Sequence, residues 1–194
     1  MELSELAGRE GAIAILCTGA SLPVDRLPDI RVPTMTLNRA YVFPSTYYLA
    51  LERDRLDVSH RAEYFLNAAV SLDPRWPSHG YRVKLQYDTK FSTDIARGFY
   101  PGVTSYLAGE IAFGLGYTEL HYLGLDLSGP HFDGTYDPGI ESQRPFQNEI
   151  FQIMAEAIEG SSRNVYICES PESRCTAFPH SDFEAISEAV CEWQ

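Results

Sequence analysis

Three short apolar runs in this chain end in small or polar residues of the kind that hold a ligand. The first run leads into Thr18-Gly19-Ala20-Ser21, where Thr18 and Ser21 can donate to a phosphate or a sugar and Gly19 permits a sharp turn. The second leads into Asn38-Arg39; Asn38 can read a base or ribose with donor and acceptor alike, and Arg39 can pair with a phosphate. The third leads into Gly124-Leu125-Asp126-Leu127-Ser128, which sets Asp126, a candidate catalytic acid poised for a ligand hydroxyl, just beyond a strand. A polar loop follows with His131, Asp133, Tyr136 and Asp137. His131 is the candidate general base, with Asp133 to orient it, because an imidazole at a ligand edge can accept a hydroxyl proton. Asp126, His131, Asp133 and Asp137 are metal-ligating types, but their spacing matches no recognised motif, so no metal is assigned. Ser170 and Ser173, around Pro171, offer two more hydroxyls after the last strand. Each group also has a plainer reading: a tight turn at Gly19, a solvated Arg39, a capping Asp126, a surface His131, a strand ended by Pro171.

Regular elements must bring these residues together. Ala12–Cys17, Thr34–Leu37, Tyr47–Leu51, Glu119–Leu125 and Asn164–Cys168 are short apolar runs that read as strands, with Tyr81–Tyr87 a further candidate and Glu63–Ala69 open between strand and helix. A short helix is expected from Pro23 to Arg26. Val103, Leu107, Ile111 and Leu115 recur every four residues, a buried helical stripe, with Gly116 placed to end the helix in a left-handed conformation. Gly109 and Gly114 inside it imply close packing on a sheet. A second helix is marked by Phe146, Ile150, Ile153, Met154, Ala157 and Ile158. A third opens with a Ser181…Glu184 capping box and buries Phe183, Ile186, Val190 and Trp193. Strands alternating with helices predict a single Rossmann-like α/β domain spanning residues 1–194, a mostly parallel sheet flanked by helices, with a variable insert at 52–98 and an active-site loop at 127–145.

Bulk properties narrow the function. The chain has 194 residues, 44% hydrophobic and 22% charged, enough for one domain with its own core. A net charge of −12 argues against general nucleic-acid or anionic-membrane binding, so a phosphorylated ligand would be held by oriented N–H groups and a few placed side chains. The four cysteines form no C-x-x-C pair and read as reduced and buried. The acidic N-terminal stretch lacks the apolar segment of a signal peptide and no apolar run reaches ~18 residues, so a cytoplasmic location is expected.

Four stretches occur together and in order: IAILCTGASL (13–22), LNRAY (37–41), GVTSYLAGEIAFGLGYTELHYLGLDLS (102–128) and VYICESPES (165–173). Together they resemble the bacterial sialyltransferases that cap lipooligosaccharides, the related domain of motility-associated flagellin glycosyltransferases, and the archaeal 6-hydroxymethylpterin diphosphokinases. The resemblance implies a nucleotide-binding transferase using a nucleotide-activated sugar such as a CMP-sugar, with no separate cofactor. It places Thr18, Gly19, Ser21, Asn38, Thr104, Ser105, Ser170 and Ser173 at the nucleotide, and Asp126 at the acid after the central strand. Departures are visible. Thr18 stands for the family's Asn, Ala20 for its Pro and Tyr106 for a Gly. Ser128 stands for a phosphate-contacting Tyr that Tyr136 can replace, and no His occurs at 144–146, where the family's catalytic His falls. Two other readings follow: a diphosphokinase-like transferase using ATP and Mg²⁺, or a non-catalytic binding or structural protein on the same scaffold, such as a compact phage-encoded one. In each the partner is a small nucleotide ligand, with a homo-oligomer left open.

Overall fold

The computed structural model describes residues 3–50, 65–68, 81–136 and 139–187. Six parallel strands form the body of one sheet: β1 (Ala12–Leu16), β2 (Thr34–Leu37), β3 (Tyr47–Ala50), β6 (Glu119–Leu123), β7 (Asn164–Cys168) and β8 (His180–Ser181). Two antiparallel strands, β4 (Phe65–Ala68) and β5 (Tyr81–Arg82), extend it beyond β3. The order β5-β4-β3-β2-β1-β6-β7-β8 makes a Rossmann-like α/β domain. The chain runs outward from β1 to β3 on one side and later returns to β6 on the other. The gap between β1 and β6 is therefore the topological switch point, where open sheets of this kind leave a crevice beyond the strand ends.

Alternation along β1 divides the core. Ile13, Ile15 and Cys17 face helices α1 (Thr104–Leu115) and α2 (Gly139–Ile158), which supply Leu107, Ile111, Leu115, Ile150, Phe151 and Met154. Ala14 and Leu16 face the other way, onto Leu22, Phe183 and Ile186, the last from the short helix α3 (Glu184–Ser187). Gly109 of α1 sits against Tyr122 and Met154, and Gly114 against the Phe99 ring, so the close packing implied by both glycines is present. Gly116, at φ 114°, ends α1 with its N–H on the carbonyls of Ala112 and Phe113.

Several boundaries differ from the sequence reading. The turn after Pro23 is a 3₁₀ helix, Val24–Asp29. The strand in Tyr81–Tyr87 covers only Tyr81–Arg82, and the ambiguous Glu63–Ala69 contains the strand Phe65–Ala68. Helix α2 begins at Gly139 and carries Pro145 within it, shortening the expected loop 127–145. Good helix formers at 141–144 carry the helix back past a proline whose missing N–H removes one bond. The capping box does not open α3, because Ser181 is in β8 and its hydroxyl meets His121 Nδ1 at 3.4 Å. Val190 and Trp193 lie outside the described residues, as does Asp137. Cys17, Cys168 and Cys175 are free and buried. Among the described residues no helix is long and apolar enough to cross a membrane.

A buried carboxylate ties α1 to the segment before it. Glu110, fully buried, accepts the Ser92 N–H at 2.6 Å and the Tyr100 N–H at 2.9 Å. Burial outweighs those two bonds and pushes its pKa up to about 8. An acid whose folded pKa is raised destabilises the fold wherever the unfolded chain has ionised and the folded one has not. Stability from this group is therefore full below its ordinary pKa near 4.5 and falls as pH rises to about 8. Melts at pH 5, 6.5 and 8 should show a decline in the wild type that is shallower in Glu110→Gln. Equal slopes in both proteins would mean that Glu110 titrates as an ordinary carboxyl.

Candidate functional site

At the switch point a cleft of about 340 Å³ opens, within the ~300–1,000 Å³ typical of small-molecule sites. Its floor is the exit of β1, Cys17 to Gly19, beside the exit of β6, Gly124 to Ser128. The exit of β2, Leu37 and Asn38, forms one side, and the start of α1, Val103 to Ser105, forms another. His131 and two glutamines of α2, Gln143 and Gln147, complete the wall. Thr18, Gly19, Asn38, Thr104, Ser105, Asp126 and His131 thus meet in one place, drawn from four separate stretches of chain.

The floor is built by Asp126. Its Oδ2 accepts the Ser21 N–H at 2.9 Å and its Oδ1 accepts the Ser21 hydroxyl, while Ser21 Oγ lies 2.6 Å from Ser170 Oγ. Ser173 donates its hydroxyl to the Leu125 carbonyl, and the Asp126 carbonyl takes the Arg174 N–H at 2.8 Å. Asp126 therefore lines the cleft while binding the exits of β1, β6 and β7 to one another. Ser21, Ser170 and Ser173 serve that seam and do not line the cleft. Gly19 is not in a left-handed conformation, so the turn does not require glycine for its φ. Space requires it: a Cβ there would lie 2.5 Å from both Asp126 Oδ2 and the Gly124 carbonyl.

Strain gathers on the same edge. Among the described residues the non-glycine positions with positive φ are Asn38 (48°), Leu127 (54°) and Glu169 (52°), each just beyond a parallel strand. Asn tolerates this region; for Leu and Glu it costs about 1–2 kcal/mol.

His131 is held by main chain. It forms an antiparallel bridge with Gly19, its N–H donates to the Thr135 carbonyl at 2.7 Å, and Phe132 N–H donates to the Thr18 carbonyl at 2.9 Å. The ring's Nδ1 lies 3.2 Å from that same carbonyl. A carbonyl only accepts, so Nδ1 carries the proton and Nε2 of the neutral ring presents a lone pair. Nε2 is buried and has no partner. Asp133 does not orient this ring, contrary to the sequence expectation. Its carboxylate takes Arg39 at 3.1 Å and the N–H and hydroxyl of Thr135. The Thr135 hydroxyl and N–H, then Arg39, hold its pKa down to about 2. Arg39, so engaged, and the exposed Tyr136 lie outside the lining.

The start of α1 faces the cleft uncapped. Val103 makes no side-chain cap, and the first intrahelical bond runs from Leu107 N–H to the Val103 carbonyl. The free N–H groups and the helix dipole favour an anion there. Asn38 donates from Nδ2 to Thr104 Oγ1 at 3.2 Å and leaves its buried Oδ1 unpaired. Gln147 likewise leaves a buried Oε1 unpaired. A buried polar atom without a partner costs about 1–3 kcal/mol, so these three atoms are the ones that a ligand or water in the cleft would pair. Among the described residues no Lys or Arg lines the cleft. Among the described residues no three His, Cys, Asp or Glu side chains converge as a metal site.

The two glutamines were absent from the sequence reading. Gln147 lies one turn before Phe151 on the buried stripe of α2, and a polar residue interrupting such a stripe was the available signal. The fold and cleft define a Rossmann-like domain with a candidate ligand site at its switch point. Comparison with protein-family models, curated proteins and solved structures found no match to this chain.

Proposed function

We propose that this cleft binds a nucleotide-activated sugar, with a cytidine nucleotide as first candidate, and that the chain transfers the sugar to an acceptor hydroxyl. The observation that carries the reading is the pairing, in one cleft, of an uncapped helix start with a histidine fixed in the tautomer of a base. The phosphate would take the N–H groups of Thr104 and Ser105 and their hydroxyls. His131 Nε2 would accept the acceptor's proton as the new bond forms. The four stretches resembling sialyltransferases supply the substrate class and agree with this division of labour, while the absence of a His at 144–146 moves the base to His131.

Nucleotides and sugar nucleotides tested with and without Mg²⁺ separate the readings. A cytidine monophosphate or its sugar ester should raise the melting temperature without metal. Stabilisation only by ATP with Mg²⁺ would favour the diphosphokinase reading, and no stabilisation by any nucleotide would remove the proposal. A non-catalytic binding protein is favoured by one observation, that both oxygens of Asp126 are already engaged. Tight binding without transfer or hydrolysis would select it.

Asn38→Gly is the variant to make at the β2 exit. Glycine fits φ 48° without strain, so the melting temperature should hold or rise while the carboxamide is lost. Nucleotide affinity by titration calorimetry should fall about tenfold, the worth of one hydrogen bond of ~1.4 kcal/mol. Unchanged affinity would take Asn38 out of the site.

A further inference from the structure

We infer that Gln147, together with Asn38, forms beside the base His131 a wall of hydrogen-bond acceptors that selects a hydroxyl-bearing sugar ring, and that Gln147 is its specificity-determining residue. The inference rests on the nucleotide-sugar reading above and deepens it. Of the buried side-chain polar atoms without a partner among the described residues, three belong to residues of this one cleft: Asn38 Oδ1, His131 Nε2 and Gln147 Oε1. They come from the β2 exit, the loop after β6 and helix α2, so no single local distortion accounts for them. Gln147 and His131 are each only 8% exposed.

All three atoms are acceptors. Oδ1 of Asn38 accepts because its Nδ2 is donating to Thr104, Nε2 of His131 accepts because its Nδ1 holds the proton, and Oε1 of Gln147 accepts because it is an amide oxygen. A phosphate at neutral pH has nothing to donate to them, and among the described residues no Lys or Arg lines the cleft to draw it there. The ligand's anionic part therefore belongs at the start of α1, and the acceptor wall is left for hydroxyls. A sugar ring carries several in fixed directions. The side chain of Gln147 is what a sequence with only hydrophobic requirements would not place here, since the neighbouring stripe positions are Ile150, Phe151 and Met154.

His131 Nε2 is left for the hydroxyl of the sugar's acceptor; the hydroxyls at Gln147 and Asn38 have two sources, the ribose of the nucleotide or the sugar it carries, and the test distinguishes them. Wild type and Gln147→Met, which keeps length and volume, are titrated with cytidine monophosphate, its 2′-deoxy analogue and its sugar ester, with melts to confirm folding. Wild type should bind the sugar ester at least tenfold more tightly than the deoxy nucleotide. Gln147→Met should lose about tenfold toward the ligand whose hydroxyl it reads, and less than twofold toward the deoxy nucleotide. A loss confined to the sugar ester places Gln147 on the transferred sugar, and a loss shared with the ribonucleotide places it on the ribose. Equal affinities of both proteins for all three ligands would overturn the inference while leaving the nucleotide reading intact. If Gln147→Met melts far below wild type, Gln147→Glu, which keeps the acceptors, serves in its place, and tightened or unchanged discrimination is then required. Failure of the wild type to bind any of the three would overturn the reading beneath it.

Discussion

His131→Gln should bind the nucleotide within about twofold of wild type and lose turnover by about 10²–10⁴-fold, the scale of removing a general base. The expectation follows from how the ring is held. Its backbone is fixed by the bridge to Gly19 and the bond to Thr135, so the loop does not depend on the imidazole for its course. A glutamine amide can still donate toward the Thr18 carbonyl, preserving the one side-chain contact. What it cannot do is accept a proton. Single-turnover kinetics with a sugar nucleotide would measure the loss. His131→Ala with added imidazole should recover part of the rate, which a residue acting only through packing would not allow. Full turnover in His131→Gln would remove the residue from the chemistry.

The second large effect is expected at Gly19. In Gly19→Ala the new methyl meets a carboxylate oxygen and a main-chain carbonyl, both at 2.5 Å, closer than real contacts allow. Neither can yield cheaply. The Gly124 carbonyl is the acceptor for the Gly19 N–H at 2.9 Å, and the Asp126 carboxylate is tied to Ser21. Forced overpacking of this kind costs about 1–3 kcal/mol, or roughly 2–12 °C in a domain of this size. Because the displaced atoms are the cleft floor, nucleotide affinity should fall below detection even at temperatures where the variant is folded. Thermal melts and calorimetry read the two separately. A variant with wild-type affinity would show that the β1 exit can move without disturbing the cleft.

Local patterns carried much of the fold. The four-residue recurrence from Val103 to Leu115 marks α1, Gly116 marks its end, and the apolar runs at β1, β2, β6 and β7 mark the inner strands, because each signal depends on neighbours in sequence. The failures share the opposite property. Ser181 and Glu184 carry a sound local capping signal that lost to pairing with β7, a contact set by the sheet. The sequence offers a sharp turn as the role of Gly19, whereas its reason is the approach of residues more than a hundred positions away. Asp133 lies two positions from His131 in the chain, but the loop folds its carboxylate toward Arg39. Gln147 gave only the weak sign of a polar residue on an apolar stripe, and its burial comes from α2 closing the side of the cleft. The residues gathered from strand ends were legible because the parallel architecture itself puts strand exits on one edge.

The seam through Asp126 also sets an order of assembly. Ser21 is joined to Asp126 across 105 positions and to Ser170 across 149, so the cleft floor has no local version of itself. Contacts of such separation form only after the intervening chain has been brought in, which makes them late and slow relative to the helices. A nascent chain that has extended through α1 and β6 already owns the helix start, Asn38 and Asp126. It still lacks the β7 exit that closes the seam. The binding edge is thus completed by one of the last strands to be made, and a partly synthesised chain holds the parts of the site without holding the site.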